Sequence, residues 1–518
     1  MTYERLTALD SAFLHIEAAH QPMHVGGLCI VEGSSFRDAE GRFRLEELRA
    51  VVDARLRLVP RFRKKLMTVA LDQGRPIWVD DEGFDLAYHV RHTALPTPGS
   101  ETQLRSLFER VQSHLLDRRR PLWELWFVEG LEGDRVAIIT KTHHAMVDGI
   151  SSMDVATVLF DLSPEVVVPA ATPWRPEPPP SGAQLLIDSV VERAVEPAEL
   201  VRSVRAAFRV PRHAAERARE VGRAVANSRP LAPKMPWNGP ITPHRRWEPV
   251  RVSIPLAKAI KNAASADARV GGRVSLNDVV LATVAGGLRT FLTDRRQPIA
   301  PDLVLKAMVP VSTRTTADRR AAAAEGSAVV GNDISMVATD LAVGIADPLE
   351  RLREVATAMR ALKESGSAVG ADLLMRMSGY APPTVLAIAS RLAVRARAVN
   401  LVITNVPGPQ FPLYCFGAKM LEIFPFVPVA DGLGLTVAVV SYDGQLGFGI
   451  NADRELMADL HVFCDGLRAA FDEYAELFGV HPATGEASPP SPTGPAKAPR
   501  TTRPEKGRTP PTAASPPT

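Results

Sequence analysis

Short apolar runs separated by turn residues alternate along this chain with stretches whose apolar side chains recur at helical spacing. The sharpest strand signal is residues 134–142, a β-branched and apolar run opened by the turn residue Gly133. After it come His143, His144, Ala145, Met146, Val147, Asp148 and Gly149. Apolar positions then resume at roughly helical intervals over 150–162, at Met153, Val155, Val158, Leu159 and Leu162. The histidine pair therefore sits in a strand-to-helix loop, a place where a rigid scaffold presents reactive groups. Upstream, the pattern predicts strands at 25–31, 87–92 and 123–128 and helices at 45–58 and 102–116. Glu132-Gly133 joins the strand at 123–128 to the histidine strand as a hairpin.

The second half mixes the same two periods. Helices are predicted at 256–266, 276–292, 348–362 and 371–397, the last broken by Pro382-Pro383. Strands are predicted at 303–311, 334–339, 401–405, 433–442 and 445–450. Asp443-Gly444 joins the last two as a two-residue hairpin, since both turn positions need positive φ. A helix at 455–478 closes the fold. Between the halves, 163–181 is too proline-dense for regular structure and reads as a linker. An arginine-rich helical stretch, 184–229, and a second proline-rich passage, 230–243, follow it. Domain boundaries are accordingly expected at 1–163, 164–245 and 246–480. Residues 481–518, rich in Pro, Ser and Thr, cannot bury a core and are expected to be disordered.

Composition narrows the function classes. A chain of 518 residues with 46% hydrophobic residues exceeds one ordinary core, and 61 basic against 58 acidic residues give a net charge of only +3, so nothing global points to nucleic acid. Cys29, Cys415 and Cys464 are far apart and odd in number, which argues for a reducing compartment rather than a disulfide framework. Met1 to Arg5 lack a signal-peptide core, and no run of 18 apolar residues occurs. A cytoplasmic protein without a membrane span is expected.

The histidine loop carries the candidate chemistry. An imidazole with an ordinary pKa of about 6.5 can take a proton from an alcohol and return it to a departing thiolate. Asp148, four residues after His144, could hold the loop or orient an imidazole, and spacing leaves both open. The chain has no G-x-S-x-G elbow, and none of its cysteines sits beside a histidine, so no covalent acyl-enzyme is indicated. Two other patterns are discounted. His15 and His20 are five apart rather than the four of a zinc helix, and adjacent strand residues such as His143 and His144 point to opposite faces, so no metal site is expected. Gly432-Leu433-Gly434 lacks the third glycine of a dinucleotide fingerprint.

With His143, His144, Asp148 and Gly149 in place, the chain resembles the bacterial wax ester synthase/diacylglycerol acyltransferase family. Four further elements occur in that family's order. They are the opening Leu9-Asp10-Ser11-Ala12-Phe13-Leu14, Glu17 and Pro22-Met23-His24-Val25-Gly26; Pro121-Leu122-Trp123; Asn277-Asp278; and Asn405-Val406-Pro407-Gly408-Pro409. The resemblance covers roughly residues 3 to 480. It implies an α/β architecture of two chloramphenicol-acetyltransferase-like domains with a tunnel between them. It implies transfer of a fatty acyl group from acyl-CoA, a substrate rather than a cofactor, to diacylglycerol or a long-chain alcohol. His144 would be the general base, His143 a support, and Asp148 part of the loop's architecture. Asn277 and Asp278 would shape the tunnel, polarise the thioester carbonyl or cap a helix. Pro121, Leu122, Trp123, Asn405, Pro407 and Gly408 would fix turns and tunnel walls.

Two questions stay open at this level. Residues 201–229 carry eight arginines against two glutamates with an apolar side, which suits an anionic membrane or lipid-inclusion surface and equally a solvated helix between domains. A condensation-type acyltransferase using a carrier-protein thioester or another alcohol, and a lipid-binding protein that has lost activity, are the rival functional readings.

Overall fold

The computed structural model of the chain describes residues 4–69, 74–147, 158–168, 174–185, 232–312, 334–364 and 398–480. In chain order the first part contains β1 (Glu4–Arg5), α1 (Ala8–Ile16), β2 (His24–Glu32), α2 (Leu45–Arg55), β3 (Lys64–Met67), β4 (Ile77–Asp80), α3 (Leu86–His89), β5 (Val90–Ala94), α4 (Glu101–Ser113), β6 (Trp123–Leu131), β7 (Arg135–His143) and α5 (His144–Val147). The second part contains β8 (Arg245–Ser253), α6 (Ile254–Ala266), α7 (Leu276–Asp294), β9 (Leu305–Ser312), β10 (Ile334–Leu341), α8 (Pro348–Glu364), β11 (Leu401–Val406), β12 (Tyr414–Cys415), β13 (Ala418–Phe426), β14 (Leu435–Tyr442), β15 (Gln445–Asp453) and α9 (Leu460–Leu477).

These strands form two six-stranded mixed sheets and one small three-stranded sheet. The first large sheet runs β12-β13-β2-β7-β6-β5, the second β10-β9-β11-β14-β15-β8, and β1-β4-β3 stands apart. In the first, only β5–β6 is parallel. In the second, β11 is parallel to both β9 and β14. The histidine strand β7 lies inside the first sheet, flanked by β2 and β6, so its end is fixed from both sides.

The chain division expected at residue 246 and the division into sheets differ at one place. β12 and β13 come from the second half of the chain but extend the first sheet, with β13 antiparallel to β2 from Met420↔Val31 to Phe426↔Gly26. The second half thus lends a hairpin to the first. In the other direction, α4 covers the free edge of β8: Glu109 accepts the Trp247 N–H, and Arg105 pairs with Glu248. An edge strand capped by a carboxylate cannot recruit a foreign strand there.

Local chemistry explains where elements depart from the pattern reading. Residues 87–92 are not one strand: Asp85 caps a helical turn by accepting the Ala87 N–H, and β5 begins only at Val90. The closing helix starts at Leu460 rather than 455, since Asp453 Oδ1 accepts the N–H groups of Glu455 and Leu456 and holds that stretch as a turn. β14 starts at Leu435 because the Gly434 N–H is taken by Trp237 O. In the β14–β15 hairpin, Asp443 and Gly444 have φ of 38° and 84°, as the turn requires. The segments expected as helices at 184–229, apart from Gln184 and Leu185, and at 371–397, and the tail 481–518, lie outside the described residues, as does most of 150–162.

The core of the second sheet centres on α7, which is buried nearly all round from Val279 to Leu288. A helix apolar on every face belongs inside a core. Gly287 and Gly466 let α7 and α9 cross closely, since a Cβ at Gly466 would come within 2.8 Å of Thr290. Among the described residues no helix is long and apolar enough to cross a membrane.

Candidate active site

β7 ends at His143 and α5 begins at His144, so the two imidazoles leave the backbone in different settings. The main chain is clamped on both sides. The His143 N–H donates to Leu122 O at 2.9 Å, and the His144 N–H donates to Met23 O at 2.8 Å. Pro121-Leu122-Trp123 therefore meets the histidine pair directly through Leu122. Trp123 is locked in turn: its indole N–H donates to Phe62 O, and its own carbonyl lies 2.7 Å from His89 Nδ1.

The His143 side chain is 1% exposed. Its Nδ1 accepts the Ala145 N–H at 3.0 Å, so the ring proton sits on Nε2. That Nε2 lies 3.2 Å from Glu17 Oε1. The ring N–H points off this line, which makes the contact charge–dipole rather than a straight hydrogen bond. Glu17 also accepts the Met23 N–H on Oε1 and two bonds from Arg118 on Oε2. Burial alone would raise the Glu17 carboxyl, but His143, Arg118 and His24 together outweigh it and hold it down at about 2. The carboxylate is ionised at any working pH.

His24 stands beside this pair, paired with His143 across β2–β7 and fully buried. Burial, with Lys141 nearby, pushes its imidazole well below the ordinary value. Lys141 is itself buried, and its ammonium donates to Val111 O at 2.7 Å and His114 O at 2.5 Å at the end of α4. A cation at a helix C-terminus is favourably placed. Desolvation nevertheless brings it down to about 8.

His144 is partly exposed, and the Phe13 ring stacks on it at 3.7 Å with planes 21° apart. Its Nδ1 has no hydrogen-bond partner among the described residues. Burial pushes this imidazole down to about 4, so it is neutral and free to accept a proton at neutral pH. Asp148 and Gly149 lie outside the described residues.

The remaining sequence-predicted residues group elsewhere. Asp278 is the third residue of α7 and forms a reciprocal cap with Ser275: Ser275 Oγ accepts the Asp278 N–H, and Asp278 Oδ2 accepts the Ser275 N–H. Asn277 Oδ1 accepts from Asn405 Nδ2 at 3.4 Å, which joins the Asn-Asp element to the Asn-Val-Pro-Gly-Pro element. After Pro407, the Gly408 N–H donates to Ser441 Oγ, and a Cβ at Gly408 would lie 2.2 Å from Ser441 O, so only glycine fits.

Sequence reasoning gave no role to Phe13, Glu17 or Arg118. The first two lie in the opening elements, yet nothing local says that one stacks on His144 and the other faces His143. The Thr7 and Asp10 capping box of α1 was the available signal for the helix that carries them.

Comparison with known proteins identifies the family of the chain. Residues 6–280 match the wax ester synthase/diacylglycerol acyltransferase catalytic domain, and residues 330–475 match the WS/DGAT C-terminal domain. A Mycobacterium tuberculosis protein named as a diacylglycerol O-acyltransferase is 33% identical over 486 residues, which covers 92% of this chain and 91% of that protein. The protein tgs2 of the same species, also named as a diacylglycerol O-acyltransferase, is 33% identical over 91% of this chain and 98% of its own. The solved wax ester synthase/diacylglycerol acyltransferase from Marinobacter aquaeolei VT8 superposes with a TM-score of 0.65 at 26% identity, covering 92% of this chain and all of that one. The first condensation domain of the calcium-dependent antibiotic synthetase, at 18% identity and a TM-score of 0.53, shares the fold alone. This chain belongs to the wax ester synthase/diacylglycerol acyltransferase family.

Proposed function

We propose that this acyltransferase moves a fatty acyl group from acyl-CoA to the hydroxyl of diacylglycerol, of a long-chain alcohol, or of both, with His144 as general base. The observation that carries the reading is His144 at the end of β7, clamped through its backbone and stacked on Phe13, where burial favours the neutral imidazole. The hydroxyl proton passes to His144 as the oxygen attacks the thioester carbonyl. The tetrahedral intermediate then collapses, the carbon–sulfur bond breaks, and the coenzyme A thiolate takes the proton from the imidazolium. No acyl-enzyme is required. All three cysteines are buried, and desolvation pushes Cys29 to about 12 and Cys415 and Cys464 up as well, so none offers a thiolate.

In this reading His143 supports the turn, while Asp148 and Gly149 shape the loop. Asn277, Asp278, Asn405, Pro407 and Gly408 fix the C-terminal wall, and Pro121, Leu122 and Trp123 brace the end of β7. Residues 1–163 and 246–480 form the two acyltransferase domains, joined by 164–245, with the substrates meeting in a tunnel between them. Peripheral contact with a membrane or lipid inclusion falls to the arginine-rich stretch 201–229. The test is purified protein with labelled palmitoyl-CoA and diacylglycerol, hexadecanol or water as acceptor. His144→Ala should stay folded and lose about 10²- to 10⁴-fold in turnover, the usual contribution of a placed general base. Near-normal turnover by that variant would overturn the mechanism.

A further inference from the structure

Glu17 ends α1 and is tied to the histidine loop by two separate routes. Along one, Oε1 faces His143 Nε2 at 3.2 Å, and the other nitrogen of that ring accepts the Ala145 N–H. Ala145 is the residue after His144, so the ring of His143 sets the turn on which His144 sits. Along the other, Oε1 accepts the Met23 N–H at 3.2 Å, and Met23 O accepts the His144 N–H at 2.8 Å. The carboxylate is itself held from outside: Arg118 donates to Oε2 through two nitrogens at 3.0 and 2.7 Å and also bonds Leu14 O. Its side chain is only 4% exposed. On the same helix, Phe13 supplies the ring under His144.

We infer that Glu17 is a positioning residue for the acyl transfer, fixing the ring of His143 and the backbone of His144 through these two routes. The inference rests on His144 being the base. Glu17 touches neither imidazole nitrogen of His144, so its effect is geometric. An unpaired carboxylate this deeply buried would be costly, and four groups face it: the imidazoles of His143 and His24, the Met23 amide and the Arg118 guanidinium. Two of them, His143 and Met23, lead to His144.

Glu17→Gln preserves size and leaves an oxygen for the Met23 N–H but removes the charge that faces His143 and Arg118. It should lower kcat by about 10- to 100-fold, since a displacement of about 1 Å at a reacting group can cost that much. KM for palmitoyl-CoA and for the acceptor should stay within about twofold, because no binding surface changes. The decisive arm is a cycle with His144→Ala. If Glu17 acts through His144, adding Glu17→Gln to His144→Ala should change residual turnover by less than about twofold. An equal loss in both backgrounds would mean a general structural role and would overturn the inference. Wild-type kcat in Glu17→Gln beside an inactive His144→Ala would defeat the Glu17 inference alone, whereas an active His144→Ala would defeat the base assignment instead. If Glu17→Gln does not fold, Arg118→Gln runs the same cycle from the other side of the carboxylate, with the same outcomes deciding.

Discussion

The two large sheets have six strands each, yet their buried polar groups serve different ends. In the first, Glu17, His24, Lys141 and His143 converge where β7 stops: Glu17 and His143 bond the backbone on either side of His144, through Met23 and Ala145, while Lys141 and His24 tie this end of the sheet to the end of α4 and the residues after it. In the second, buried polar groups secure crossings of the chain. Asn400 bonds Pro233 O, Asn238 and the Lys306 N–H; Asp453 accepts from Thr242 and from the turn before α9; and Arg351 ties Ile345 O and Ala346 O to Glu473. Burying such groups costs free energy in either place unless they are bonded. In the second sheet the return is a fixed chain path. In the first it is a fixed reacting group.

The largest test of that difference is a matched pair of substitutions. Lys141→Met would leave Val111 O and His114 O without their donor at the end of α4 and should destabilise the fold by about 2–6 kcal/mol, given about 1–3 kcal/mol for each buried group left unsatisfied. Arg351→Met removes bonds to Ile345 O, Ala346 O and the half-exposed Glu473, acceptors that water can still reach in part, and should cost less, about 1–3 kcal/mol. Urea titrations would give the two stabilities, and the acyl-transfer assay the turnover per folded molecule. Turnover should fall for Lys141→Met, which adjoins the histidines, and hold for Arg351→Met. Equal turnover losses would erase the distinction between the halves.

How much of this could be read beforehand depends on how local the cause is. The β14–β15 hairpin and α7 were legible because Asp443-Gly444 and the Ser275 and Asp278 box act within a few residues. The place of His144 at the end of β7 was legible because the strand and the histidine pair after it are contiguous. β13 was not, since the pattern reading places no strand at 418–426 and the partner that fixes this segment is β2, far away in the chain. Glu17 was hidden for the same reason. The resemblance places it among the opening elements without a partner, and its meaning arises only when β2 and β7 bring Met23 and His143 to it.

The pH dependence gives a smaller and more specific test. His144 and His89 both fall to about 4 by burial, below the ordinary 6.5 of the unfolded chain. Between those values the unfolded chain binds more protons, so stability is full above about pH 6.5 and declines as pH falls towards 4. Glu17, held at about 2, adds stability that is lost only between about pH 4.5 and 2. Turnover at saturating substrate should therefore lack an acid limb near 6.5 and fall only below about pH 5, alongside unfolding. An acid limb near 6.5 in protein that remains folded by circular dichroism would show that His144 is solvated in the working enzyme.

The smallest effect is expected in the second half, at the amide contact between Asn405 and Asn277. At 3.4 Å it is a long bond between neutral groups, and both residues are partly exposed. Asn405→Ala should cost under about 1 kcal/mol, the net worth of a weak neutral hydrogen bond. If this contact only fixes the wall formed by α7 and β11, kcat should change less than about threefold, far below the loss expected for Glu17→Gln. Thermal melts and turnover measured together decide it. A tenfold or greater fall in kcat with an unchanged melt would place Asn405 against the reacting atoms, as a donor to the thioester oxygen. The chemistry would then be shared between the two sheets rather than confined to the end of β7.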